Sequence, residues 1–367
     1  MSSAVFAERV RRARAEMATQ GVDVALLSVG LDLPYLIGYD AMPLERLTML
    51  VLPREGRATL VIPRLEAPRV TPLPDVFEML PWGETEDPVA LTARLVGSAR
   101  VVAVGDQMWA RFLVDLLPLL PGVTFKKAVD VMAPLRMHKD TAEIEALRAA
   151  GAAVDRIAAQ LQAGEIPLVG RTEAQVSADL SARILAEGHD VVNFAIVAVG
   201  ENAASPHHHP GPRVIQKNEI VLCDFGGTMN GYCSDITRCV YLGSVPSDIA
   251  EAYAVLHDAE AAAVRAAVVG TPCEEVDATA RRIIAEAGFG EYFIHRTGHG
   301  IGLDAHEEPY IVSGNTLPLA PGHAFSIEPG IYMPGRWGMR LEDIVVATPD
   351  GPDPMNRADH GLAVLDV

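Results

Sequence analysis

The segment EIVLCDFGGTMNGYCSDITRCVYLG, residues 219–243, commits this chain to a β-hairpin that carries two acids among apolar neighbours. Two β-like runs flank Asn230-Gly231, and Asn-Gly between such runs signals a two-residue hairpin loop. With those residues as the loop, Met229 pairs with Tyr232, and counting outward sets Asp224 opposite Thr237. Asp235 then pairs with Gly226, diagonally adjacent to Asp224 on the same face of the ribbon. Two carboxylates held side by side repel, and one takes up a proton unless a cation lies between them. A divalent metal is the natural cation. The competing reading, two solvated acids on an exposed hairpin, sits poorly with Cys223, Phe225 and Ile236 as neighbours.

A second pair of acids strengthens the metal reading. Glu328 in SIEPGIY and Glu342 in MRLEDIVV each interrupt an apolar, strand-like run, where a charge is costly unless paired or metal-bound. Arg340 stands two residues before Glu342, hence on the same face of a strand, and is placed to pair with an acid of the cluster. A buried Arg–Glu salt bridge without metal is the plainer alternative. The stretch HRTGHGIGLDAHEEP, 295–309, then supplies His295, His299 and His306 with Gly298, Gly300 and Gly302 between them. It is not the helical HExxH motif, since the glycines oppose a helix. An extended backbone lets His299 reach the carboxylates. Four oxygen ligands and one imidazole suit Mn²⁺, Co²⁺ or Zn²⁺, and four carboxylates fit two metals that share bridging ligands and activate a water between them. In SPHHHPGP, 205–212, three histidines lie in a loop bounded by prolines, and chemistry alone does not rank His207 against His208.

The rest of the chain frames these segments. With 48 acids against 30 Lys plus Arg, the net charge of -18 disfavours nucleic acid or an anionic membrane as partner. No run is long enough to span a bilayer, and the N-terminus has no secretory apolar region. Cys223, Cys233, Cys239 and Cys273 form no CxxC pair, which points to reduced thiols in a cytoplasmic protein.

Residues 1–132 read as a small α/β domain. An amphipathic helix, FAERVRRARAEMATQG, is followed by the strand candidates VDVALLSV, LTMLVLP, ATLVIP and ARVVAVG. A join falls near APLRMHKD, 133–140, and residues 133–367 form the second domain. There the helix TEAQVSADLSARILAEG (172–188) has a counterpart one hundred residues on in PCEEVDATARRIIAEAG (272–288), and each is preceded by an alanine-rich helix, TAEIEALRAAGAAVDRIAAQLQ and IAEAYAVLHDAEAAAVRAAV. Each helix pair precedes β-like sequence, which hints at two similar halves.

In order and spacing, Asp224, Asp235, His299 in TGHGIGLDAHEEP, Glu328 in EPGIY and Glu342 in RLED resemble the pita-bread metallopeptidases, within them the proline-specific branch of aminopeptidase P and Xaa-Pro dipeptidase (prolidase). The resemblance implies an α/β creatinase-like N-terminal domain and an α+β pita-bread catalytic domain with pseudo-twofold halves. It implies hydrolysis of Xaa-Pro dipeptides or short Xaa-Pro peptides by a hydroxide bridging two divalent ions, Mn²⁺ first and Co²⁺ or Zn²⁺ as alternatives. Asp224 would bind one ion, His299 with Glu328 the other, and Asp235 and Glu342 would bridge. Glu328 would also deprotonate the attacking water. His207 would contact substrate near the scissile carbonyl, His306 would stabilise the tetrahedral intermediate, His295 would line the proline pocket, and Arg340 would support the carboxylates. A homodimer is implied as well.

Alternatives within the same fold are a metal-free creatinase-like hydrolase or a non-catalytic binding protein, whose members lose several of the five ligands, and methionine aminopeptidase, which generally lacks the N-terminal domain. One departure stands out. Some dipeptidases of the branch grip the substrate carboxylate with a basic residue after HExP; here Tyr310 follows Pro309, which leaves dipeptide preference open, with Arg296, Arg336 or a partner subunit as possible substitutes.

Overall fold

The computed structural model describes residues 3–366, and the chain divides after Arg136 into two compact units. The first unit holds α1 (Ser3–Thr19), β1 (Val24–Leu27), α2 (Asp32–Ile37), β2 (Met49–Pro53), β3 (Ala58–Pro63), β4 (Phe77–Trp82), α3 (Pro88–Val96), β5 (Val101–Val104), α4 (Ala110–Leu116) and β6 (Thr124–Lys127). Its strands form one sheet in the order β4-β3-β2-β1-β5-β6. The four apolar runs read from sequence are β1, β2, β3 and β5, the sheet's interior. The two strands that sequence did not signal, FEMLPW and TFKK, are its edges. An edge tolerates Pro81 and the solvent-facing Lys126 and Lys127, which mask the usual pattern.

After α5 (Val129–Met137), the second unit opens with α6 (Thr141–Gln162) and α7 (Glu173–Ala186). Both helices start on capping boxes, Asp140 with Glu143 and Thr172 with Gln175, each satisfying two backbone donors. Then come β7 (Val191–Val199), β8 (Ile220–Met229), β9 (Tyr232–Cys233) and β10 (Ile236–Leu242). A second helix pair follows, α8 (Ser247–Ala266) and α9 (Cys273–Glu286), and then β11 (Gly298–Gly300), β12 (Glu307–Ile311), β13 (Ala324–Ile327), β14 (Gly330–Met333), β15 (Trp337–Arg340), β16 (Asp343–Thr348), β17 (Gly351–Pro354) and β18 (Ala363–Leu365).

The offset of one hundred residues reappears in the backbone. Thr172 bridges Val214 as Pro272 bridges Pro318, and Gly170 donates to Ile215 as Gly270 donates to Leu319. The two halves are thus built alike, and the fold is the creatinase-like plus pita-bread arrangement expected.

One sheet runs β18-β10-β8-β7, with β9 on β8; a second runs β12-β11-β13-β16-β17; β14 and β15 form a separate ribbon. Alternation along β8 sends Val221, Cys223 and Phe225 into a core with α6 and α7, while Leu222 enters the other core, with α8 and α9. Asp224 therefore lies on the face turned away from α6 and α7. The two sheets meet where Thr237 bridges Glu342, whose N–H donates to the Thr237 carbonyl at 3.3 Å. All four cysteines are free and buried. Among the described residues, no helix is long and apolar enough to cross a membrane.

Candidate metallopeptidase active site

The hairpin register holds: Met229 pairs with Tyr232 and Asp224 with Thr237. The loop residues Asn230 and Gly231 adopt positive φ, 52° and 84°, as a tight two-residue turn requires. Asp235 sits between β9 and β10, 3% exposed.

Glu328 and Glu342 differ from the expectation of acids within continuous strands. Each lies at a break: β13 ends at Ile327 and β14 starts at Gly330, and β15 ends at Arg340 before β16 starts at Asp343. At both points the chain changes pairing partner, between the β13–β16 sheet and the β14–β15 ribbon. Pro329 helps end β13, because it has no N–H to offer the ladder. Breaking the strands there lets both carboxylates turn inward.

The glycines around His299 have a steric reason. A Cβ at Gly298 would collide with the Ser326 carbonyl, and one at Gly300 with that of Glu308. Only glycine lets β11 press between its neighbours and carry His299 to the acids. There the His299 Nε2 is 3.3 Å from Glu328 Oε1 and 3.9 Å from Asp235 Oδ2. Its Nδ1–H donates to the Gly300 carbonyl at 3.1 Å, which fixes the tautomer and leaves the Nε2 lone pair facing the carboxylates. Burial and the neighbouring His306 push its pKa down to about 3, so the ring is neutral.

The acids have too little positive charge near them. Burial, and then Glu342, Asp224 and Glu328, hold Asp235 well above the usual carboxylate range. Burial with Glu328 and Asp224 does the same for Glu342, and burial lifts Glu328 to about 7 against the pull of Arg340. With Arg296 adding a smaller pull on Glu328, the main offset comes from Arg340. It pairs with Asp224, and donates to Thr237 Oγ1 at 3.1 Å and to the Tyr332 hydroxyl at 2.8 Å. The Thr237 hydroxyl in turn donates a hydrogen bond to Glu342 at 2.6 Å. One guanidinium cannot neutralise four carboxylates, since a like-charge pair about 4 Å apart costs about 4 kcal/mol at an effective dielectric near 20.

Asp224 Oδ1 and Asp235 Oδ1 are buried without any hydrogen-bond partner, and donor atoms of Asp235, His299 and Glu342 lie within 4.8 Å of one another. Lone pairs, excess negative charge and a neutral imidazole together form a donor set that fits divalent cations.

These groups line a cavity of ≈ 520 Å³ with Phe194, Ile196, Pro206, His207, His295, Arg296 and His306. His306 stacks obliquely on His299, ring centroids 3.9 Å apart. His295 donates from Nδ1 to the Arg296 carbonyl at 2.7 Å and accepts from Tyr332 at 2.9 Å. In the triple-histidine loop only His207 lines the cavity, whereas His208 is tied to buried Glu173 at 2.8 Å.

Comparison with known proteins agrees in family. Residues 144–349 match the model of metallopeptidase family M24, and residues 9–138 that of the Creatinase/Prolidase N-terminal domain. The chain belongs to metallopeptidase family M24. A probable dipeptidase PepE of Mycobacterium bovis is 47% identical over 368 residues, covering 99% of this chain and 97% of that one. The crystal structure of dipeptidase PepE from Mycobacterium ulcerans superposes with a TM-score of 0.95 at 47% identity, over 100% of both chains. A recombinant prolidase from Thermococcus sibiricus gives 0.91 at 36% identity, over 97% of this chain and 98% of that one.

As an M24 metallopeptidase, the chain brings all nine residues singled out by sequence to one cavity. Sequence reasoning missed four others. Thr237 was located opposite Asp224 without a role. Tyr332, the last residue of the quoted EPGIY, joins Arg340 to His295. Phe194 and Ile196 wall the cavity, and only their place in the β-like run VVNFAIVAV hinted at them. A second cluster, Glu260, Asp343 and His360, has metal-like spacing. There, however, Arg238 and His360 occupy the two oxygens of Asp343 at 2.7 and 2.6 Å, making an ion-pair network.

Proposed function

We propose that this M24 metallopeptidase hydrolyses the bond between an N-terminal residue and proline in Xaa-Pro dipeptides or short Xaa-Pro peptides, with two divalent ions. The observation that carries this reading is the set of buried Asp224, Asp235, His299 and Glu342 with half-buried Glu328, opening on a cavity walled by Phe194, Ile196 and His295. Asp224 would hold one ion, His299 with Glu328 the other, and Asp235 and Glu342 would be shared. Mn²⁺ is the first choice, ahead of Co²⁺ and Zn²⁺, in a cytoplasmic homodimer.

When bound, such a pair supplies Lewis acidity toward the scissile carbonyl and lowers the pKa of a water. The remaining work falls to side chains. Glu328 accepts the proton of the attacking water and returns it toward the departing proline nitrogen. His306 and His207 donate to the oxygen that becomes negative as the carbonyl turns tetrahedral. An Xaa-Pro bond has no N–H for a general peptidase to hold, and a pocket shaped by His295 and the aromatic wall answers with ring contact instead.

Arg340 acts through others. It orients Asp224 directly and Glu342 through Thr237, and it sets Tyr332 to donate to His295.

The test is hydrolysis of Ala-Pro beside Ala-Leu by chelator-stripped protein reloaded with Mn²⁺, Co²⁺ or Zn²⁺. Preference for Ala-Pro with any of these ions supports the reading. Equal cleavage of both dipeptides removes the proline specificity, and full activity without metal removes the mechanism.

A further inference from the structure

Gly302 is the one glycine of the 295–309 stretch still without a reason. A Cβ there would stand 2.5 Å from Glu307 Oε1 and 2.9 Å from Lys139 Cε, so the glycine makes room for a pair of charges. Lys139 Nζ is 2.6 Å from Glu307 Oε1, and the two side chains are only 1% and 9% exposed. Taking an ammonium and a carboxylate out of water costs several kcal/mol each, which their attraction does little more than repay. Such a pair is a poor device for stability, and its location matters more than its strength.

Glu307 directly follows His306 and opens β12, where it pairs with Gly300. Lys139 directly precedes Asp140, the cap of α6, and its N–H donates to the Gly322 carbonyl at 3.0 Å. His138 bridges His323 beside it. The ammonium therefore stands on backbone fixed both by α6 and by the turn that leads into β13.

His306 has no such support of its own. Among the described residues no hydrogen bond holds its imidazole, whose ring contact is His299. Backbone anchors the start of its loop: Ile301 N–H donates to the Ala324 carbonyl at 3.1 Å, and Cys233 N–H to the Gly302 carbonyl at 2.8 Å. The charge pair anchors the other end, one residue beyond the histidine. A side chain placed by its backbone moves with that backbone, and a displacement of about 1 Å at a catalytic group costs about 100-fold in rate. Neither Lys139 nor Glu307 lines the cavity, so any part they play runs through His306.

We propose that Lys139 is a positioning residue for the reaction: its buried ion pair with Glu307 fixes the end of the 301–306 loop, and so the place from which His306 donates to the oxygen of the tetrahedral carbonyl. This rests on the peptidase reading above, in which His306 carries that task.

The experiment is a mutant cycle on Ala-Pro with Mn²⁺-loaded protein: wild type, Lys139→Met, His306→Ala and the two combined, with Lys139→Arg as the variant that keeps the charge. Lys139→Met should lower kcat by about 10- to 100-fold and change KM by less than about twofold. In the His306→Ala background the same substitution should cost less than about twofold, because the group it displaces is gone. Lys139→Arg should recover part of the loss. Lys139→Met leaves a carboxylate buried without its partner, which is itself destabilising. Lys139→Met/Glu307→Gln removes both charges, and should fold and show the same loss of kcat with the same dependence on His306. In metal-free protein the nuclear Overhauser contact between the His299 and His306 rings, centroids 3.9 Å apart, should be present in wild type and lost in both Lys139 variants that lack the charge.

An equal fold-loss with and without His306 gives the ion pair a purely structural part and overturns the proposal. So does wild-type kcat in Lys139→Met/Glu307→Gln, or a ring contact that survives there. Ala-Leu keeps the two readings apart. If it is cleaved and Ala-Pro is not, the proline reading fails and the cycle is run on Ala-Leu. If neither is cleaved, the peptidase reading fails by itself, and the ring contact still decides whether Lys139 places His306.

Discussion

Loading metal into the stripped protein should release protons, and the number should fall as pH rises. Without metal, Asp235 and Glu342 stand well above the ordinary carboxylate range, through burial and mutual repulsion, and Glu328 is lifted from 4.5 to about 7. His299 is already neutral and gives up nothing. Ligands must be deprotonated to bind, so near pH 6 about one proton should leave Glu328, and Asp235 and Glu342, shifted in the same direction, should add to it. The apparent Kd should then tighten by about fivefold from about pH 6 to 7 through Glu328 alone, and further through the other two.

Stability should follow with opposite signs in the two forms. A carboxyl whose folded pKa is raised stabilises the fold while protonated, a contribution complete below its unfolded value near 4.5 and lost as pH climbs through about 7. The stripped protein therefore weakens over that window, whereas the loaded protein gains. Calorimetric titration of Mn²⁺ in buffers of differing ionisation enthalpy counts the protons, and Asp235→Asn should lower the count by about one. Zero release at every pH from about 5.5 to 8 would refute the reasoning, since the acids would then be ionised without a cation.

Three substitutions probe the surrounding structure. Thr237→Val removes the hydroxyl that links Arg340 to Glu342, and should cost about 10- to 100-fold in activity or metal affinity by isothermal titration. Gly298→Ala drives a methyl into the Ser326 carbonyl and should destabilise the protein by about 2 kcal/mol or more in urea unfolding. His207→Ala should lower kcat by about 100-fold with little effect on stability. His208→Ala instead leaves a hydrogen-bonding oxygen of buried Glu173 without its imidazole partner, and should show first as a stability loss of about 1–3 kcal/mol.

The catalytic half was legible because its chemistry breaks local rules. Acids inside apolar runs and glycines around His299 have no cheap structural explanation, and the Asn-Gly turn fixed the register that sets Asp224 opposite Thr237. The interior strands of the N-terminal sheet were legible from unbroken apolar runs; its edges were not, because exposure at β4 and β6 relaxes that pattern. Tyr332 and Thr237 stayed hidden for another reason. Their parts depend on contacts across the fold, Tyr332 to His295 and Thr237 to Glu342, which no local spacing reports. The strand breaks at Glu328 and Glu342 were likewise invisible, since each depends on a change of pairing partner.

The most direct measurement is Ala-Pro hydrolysis followed while Mn²⁺ is titrated, equivalent by equivalent, into stripped wild type and Asp235→Asn. Wild-type activity should rise to a plateau at two ions per chain and stay near background in the variant. Activity in the metal-free protein, or a plateau reached by both proteins alike, would contradict a pair of cations held among Asp224, Asp235, His299, Glu328 and Glu342.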